Sequence, residues 1–186
     1  TSISISGNAY TLGFNLSGIA NGSETLTVVP SSAAAIYDGA DNAASTTQSN
    51  NTVSLNEKTL PTITGTTIVA DNSTITTTFS EAVFNTTGGS GALEATDFTL
   101  TISGGVATLD AATPTSISIS GNAYTLGFSL SGIATGSETI TVVPSSATAI
   151  YDGADNAAAT TQSNNTVSLN EKTLPTITGT TIVADN

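Results

Sequence analysis

Apolar and polar side chains alternate with a period of two through most of this chain. The pattern is plainest in its middle and second half. Ile75, Thr77 and Phe79 form one run, Phe98, Leu100 and Ile102 a second, and Ile117 and Ile119 a third; Tyr124, Leu126, Phe128 and Leu130 form a fourth, and Ile140 and Val142 a fifth. Side chains two positions apart share one face of an extended strand, so each run predicts a strand with one buried side. Residues 62–70 and 167–169 supply a first and a last strand to this set. Turn formers separate the runs: Asp71-Asn72, Gly88-Gly89, Gly104-Gly105, Gly121-Asn122 and Gly136. No segment sustains a helical apolar period. About eight or nine short strands, with turns roughly every eight to twelve residues, predict an all-β fold, a two-sheet β-sandwich with Greek-key connections.

The same pattern occurs twice. Residues 1–72 recur as residues 115–186, with TSISISGNAYTLGF opening both copies and PTITGTTIVADN closing both. Only Asn15/Ser129, Asn21/Thr135, Leu26/Ile140, Ala34/Thr148 and Ser45/Ala159 differ. The resulting period of about 114 residues is too long for a solenoid turn and suits one whole sandwich with its own core. Tandem repeats are therefore expected, joined at Asn56-Glu57-Lys58-Thr59-Leu60-Pro61 and again at residues 170–175, where a strand ends and proline restarts the chain. On that phase residues 1–58 are the C-terminal part of one repeat, 59–172 a complete repeat, and 173–186 the first strand of another. The bounds imply a polypeptide that continues on both sides, or neighbouring chains that donate the missing strands.

In an array the chain must come into each repeat at one pole and leave at the other, so the strand count should be odd. Taking residues 148–151 as a short strand satisfies that condition. The parity then gathers the loop at 81–97, the turn near Asp110 and the loop Asp152-Gly153-Ala154-Asp155-Asn156 at one pole.

Composition narrows the chemistry. Two basic residues face 14 acidic ones, for a net charge of −12. Such a surface repels phosphate, which argues against nucleic acid and anionic membrane as partners and makes dissolved cations the natural counterpart. The complete repeat alone holds nine carboxylates and one lysine. Cysteine, histidine, methionine and tryptophan are missing, which removes thiolate and haem chemistry and zinc fingers. No apolar run is long enough to span a bilayer.

The residues resemble a known family, the bacterial Ig-like repeats of giant surface adhesins and of cyanobacterial swimming-motility surface proteins. The likeness rests on Phe79-Ser80-Glu81-Ala82-Val83, on Asp97-Phe98, and on Gly136-Ser137-Glu138-Thr139-Ile140-Thr141-Val142. Ile150-Tyr151-Asp152-Gly153-Ala154-Asp155-Asn156 looks like the family's Asp-x-Ala-Gly-Asn loop, with Asp155 where the family usually has Gly. Asn156 suits a left-handed turn position. The resemblance covers essentially the whole repeat. It implies an extracellular spacer or stalk at the cell surface, often stiffened by calcium.

Calcium takes six to eight oxygen ligands. Asp152, Asp155 and Asn156, with Glu81 and Asp97 as neighbours at the pole, could supply them, and Asp38, Asp41 and Asn42 form the equivalent loop in the first copy, with Glu57 at the seam that follows. The same residues can equally be turn formers, each side chain bonding its own backbone two residues on.

Catalysis finds little support. Glu81 and Glu94 could in principle act on a glycosidic bond, but nothing in the sequence fixes their separation. Serines are plentiful, yet without histidine their only available bases are Lys58 and Lys172, both at seams. Sequons at Asn15, Asn21, Asn50, Asn72, Asn85 and Asn164 allow a glycan-coated or ligand-binding module, although Asn15 and Asn21 are replaced in the second copy. A self-assembling filament joined by strand exchange is a further possibility. The expectation is a non-enzymatic spacer whose partners are neighbouring repeats or other copies in a filament. Near-identity of the copies fits, because a spacer asks every unit for one fold and no unit for a unique pocket.

Overall fold

The computed structural model describes residues 2–184. The ends of the outer predicted segments, Thr1, Asp185 and Asn186, lie outside them. The chain divides into two compact units between Thr59 and Leu60.

The second unit is a closed, all-β structure of two antiparallel sheets. Its strands are β5 (Ile63–Ile68), β6 (Thr74–Phe79), β7 (Phe98–Ser103), β8 (Thr108–Leu109), β9 (Ser116–Ser120), β10 (Ala123–Gly127), β11 (Leu130–Ser131), β12 (Thr139–Pro144) and β13 (Thr166–Ser168). One sheet runs β5-β6-β10-β9 and the other β13-β12-β7, with the small β11-β8 pair continuing beside β7 through the Leu100 N–H to Ala112 carbonyl bond. β6 and β12 alternate half-buried and buried positions along their whole length, as period-two patterning requires.

Between the sheets lie Ile63, Ile75, Leu100, Leu126, Ile140, Val142 and Ile150, all essentially fully buried. Phe79, Phe98 and Tyr124 form a triangle with centroids 5.7 to 6.4 Å apart, and Phe79 meets Tyr124 edge-on. That is the preferred geometry of aromatic quadrupoles. Burial raises the Tyr124 phenol above its ordinary pKa, and its hydroxyl donates to the Val83 carbonyl at 3.3 Å.

Three details differ from the sequence pattern. The Tyr124-to-Leu130 run is not one strand: β10 stops at Gly127, and Leu130 pairs instead with Leu109. The chain changes sheets there, so an unbroken apolar alternation carries two strands. Residues 148–151 form no strand, and Tyr151 makes only single bridges to Phe84 and Ala157. The count from β5 to β13 is nine, reached through β8 and β11 rather than that segment. Residues 175–184 carry the sequence of residues 61–70 yet form no strand. In the closed unit β5 is held by β6. Without a β6 alongside, the same amino acids have no ladder to join.

The first unit holds two separate hairpins, β1 (Ser2–Ser6) with β2 (Ala9–Gly13) and β3 (Thr25–Thr27) with β4 (Thr52–Ser54). Their registers repeat those of β9 with β10 and β12 with β13: Ile3 faces Leu12 as Ile117 faces Leu126, and Leu26 faces Val53 as Ile140 faces Val167. Their side chains, however, are largely exposed.

Candidate functional site

The closed unit is organised by three polar arrangements, one at the end where the chain comes in and two at the end where it leaves. At the end where the chain comes in, the loop following Tyr151 folds back on itself. The Asp152 carboxylate is buried and accepts the Ala154 and Asn156 amides on one oxygen, both at 2.8 Å, and the Asn156 side-chain amide on the other at 2.9 Å. Asp155 takes the left-handed conformation, with φ of +67°, and its carboxylate accepts the Gly88 N–H at 2.5 Å. The expectation for Asn156 shifts by one residue: the left-handed position is Asp155, where the resembling family places glycine. Asp can adopt that conformation because its short side chain bonds locally.

The first copy builds the same loop. Asp38 accepts the Ala40 and Asn42 amides and the Asn42 side chain at 2.8 to 2.9 Å, and Asp41 has φ of +65°. The Asn42 side chain is the main cause holding the Asp38 carboxyl below its ordinary pKa.

Of the remaining predicted ligands, Asp97 accepts the Glu94 N–H at 2.7 Å and closes the short 3₁₀ turn Ala95–Asp97. Its own carbonyl accepts the Ser145 N–H at 2.8 Å. Glu81 is half-buried at the start of the loop. The loops at 81–97 and 152–156 do meet, through paired Phe84–Tyr151 backbone bonds at 2.7 and 2.8 Å. Asp110 is elsewhere. Its N–H donates to Ser129 and its carboxylate accepts the Ser131 hydroxyl at 2.6 Å, because the β10–β11 break brings that segment to the other sheet. Among the described residues no three acidic side chains converge as a cation cage. Three N–H donors take three of the roughly four acceptor positions of the Asp152 carboxylate.

Glu138, which sequence reasoning passed over as a site residue, closes the outgoing end, where β7 and β13 finish, β12 begins and the Glu138 carbonyl accepts the Leu169 N–H. It is fully buried, and its carboxylate accepts the Val106 N–H at 2.8 Å, the Ala107 N–H at 3.1 Å and the Thr135 N–H at 2.9 Å. The Ala107 amide is the largest cause of a carboxyl pKa lowered to about 2, with Val106 and Thr135 acting in the same direction against burial. The Gly104-Gly105 turn fits over it: both glycines have positive φ, and a Cβ on Gly105 would overlap the Glu138 carboxylate.

At the same outgoing end Asn72 is buried, with φ of +61°. Its amide donates to the Asn170 carbonyl at 2.8 Å and its oxygen accepts the Asn170 N–H at 2.9 Å. Further back along β5, the Ile63 N–H donates to the Gln162 side chain at 2.9 Å and the Thr66 hydroxyl to the Asn164 carbonyl at 2.8 Å. β5 thus runs parallel to residues 162–170. An open depression of about 430 Å³ lies beside Asn72, lined in part by Phe128, Ile133 and Lys172.

Neither the known protein-family patterns nor the curated proteins contain a match to this chain. Among solved structures, the N-terminal part of the bacterial S-layer protein SbsC aligns with a TM-score of 0.43 and 21% identity over 60% of this chain. The alignment spans 24% of that protein's chain.

Proposed function

We propose that the chain is a structural spacer, a tandem β-sandwich module of an extracellular surface protein, with Ig-like repeats as its unit. One observation carries this reading: β5 and residues 162–170 lie side by side and point the same way. The polypeptide therefore comes into the closed unit beside Gln162 and leaves beyond Asn170, at the opposite end. Six residues of strand separate Ile63 from Val69, a length of about 20 Å. A unit with its ends at opposite poles adds length when repeated, whereas one with adjacent ends folds back on its neighbour. The short seam and the repeated sequence support the same conclusion.

The test is the maximum dimension of proteins carrying one, two and three complete repeats, measured by small-angle X-ray scattering. A spacer grows by a constant increment per repeat. Dimensions that rise no faster than those of a compact globule contradict the reading.

A further inference from the structure

The first unit presents a built surface whose complement can be read from the second. Tyr10, Leu12, Phe14 and Val28 are 45% to 62% exposed, whereas their counterparts Tyr124, Leu126, Phe128 and Val142 are 0% to 6% exposed. What distinguishes the two settings is the segment 60–114, which lays β5, β6, β7 and β8 against the second copy. The complementarity is polar as well as apolar. Glu138, Gln162 and Asn170 bind, respectively, the Val106 and Ala107 amides, the Ile63 amide and the Asn72 side chain. The first unit carries Glu24, Gln48 and Asn56 at the corresponding positions.

Of the five differences between copies, only Leu26/Ile140 falls on a position that is buried in the closed unit. Leu26 for Ile140 conserves volume, a change that cores tolerate. At position 129 the contact to Asp110 is made by a backbone carbonyl, which Asn15 also possesses. The chain contains one segment 60–114 and two near-identical acceptors for it, and the downstream acceptor holds it.

We infer that residues 2–58 are an acceptor surface for a further polypeptide with the sequence of residues 60–114, the first half of a repeat, which docks there as β5 to β8 dock in the closed unit. The inference rests on the burial contrast and the shared sequence, not on the spacer reading, so either can fail alone.

Two arms test it. In the first, the full chain is refolded with a separate polypeptide of residues 59–114 and examined by native mass spectrometry. A 1:1 complex is expected, and Leu12→Asp in the full chain should abolish it. In the second, residues 60–114 are fused directly ahead of Thr1, reproducing the 114–115 junction. Calorimetric unfolding enthalpy scales with the number of residues that fold cooperatively, so it should rise roughly twofold over the parent chain. Leu12→Asp should return it to the parent value. An enthalpy that does not rise on fusion, or a complex or enthalpy gain that survives Leu12→Asp, overturns the inference.

Discussion

Residues 2–58 and 116–172 are nearly the same sequence in two settings, and the contrast separates what local sequence dictates from what tertiary partners dictate. Hairpin registers are shared, as are the Asx-bonded loops at Asp38 and Asp152 and the left-handed Asp41 and Asp155. Those features need only neighbours close in sequence, and both copies have them. Burial is not shared: Tyr10 is 62% exposed and Tyr124 3%. An apolar face without a facing sheet gains nothing from being apolar, because the hydrophobic term scales with area removed from water. The twin segments 61–70 and 175–184 make the point for backbone pairing: one is β5 against β6, and the other forms no strand.

Paired substitutions should break this equivalence most sharply in the core. Leu126→Ala is expected to lower the stability of the closed unit by about 2–5 kcal/mol, the usual range for a buried leucine. Leu12→Ala should stay within about 0.5 kcal/mol, as for exposed sites. Urea denaturation of both variants checks the pair, and equal losses would show that the copies share one environment.

Asp152→Ala is the next largest. Removing the acceptor of three N–H groups in a buried loop should cost about 1–3 kcal/mol by the same measurement. Asp38→Ala, at an exposed loop, should cost less.

Glu138 extends the contrast to pH. The folded unit holds this carboxyl near 2, against 4.5 for an unperturbed glutamate. Its contribution is complete above pH 4.5 and is lost as pH falls toward 2, because the unfolded chain takes up the proton first. Glu138→Gln should flatten that part of the acid unfolding curve.

Thr77 sharpens the core in the other direction. Its hydroxyl is buried with no hydrogen-bond partner, so Thr77→Val should raise stability by up to about 1 kcal/mol in the same denaturation assay.

Calcium comes last. A cation held at about 100 times its dissociation constant would stabilise the fold by about 2.7 kcal/mol. With three N–H donors already on the Asp152 carboxylate, no change in Tm between calcium and chelator is expected; a clear rise would show a bound cation.

The strands were legible wherever alternation met a partner: β6, β7 and β12 follow from Phe79, Leu100 and Val142. The Gly104-Gly105 and Gly121-Asn122 turns follow from residues that tolerate positive φ or bond locally. Alternation could not reveal the break after Gly127, since a strand that changes sheets keeps its apolar period. The loop residues Asp152 and Asn156 were visible as a pair whose roles stayed open, because a turn former and a metal ligand draw on the same side chains. Glu138 and the Asn72–Asn170 bonds were hidden for a different reason. The Glu138 bonds to Val106 and Ala107 and the Asn72–Asn170 bonds join residues about 30 or more positions apart, and nothing local marks Glu138 as buried or Asn170 as a partner.

Amide hydrogen exchange resolved to single residues compares the two copies within one molecule. If residues 60–114 close the second copy and leave the first open, Leu126 and Ile140 will be protected at the level of global unfolding while Leu12 and Leu26 exchange orders of magnitude faster. Equal protection of both pairs would mean that 58 residues of this sequence close without that segment, and the account would be wrong.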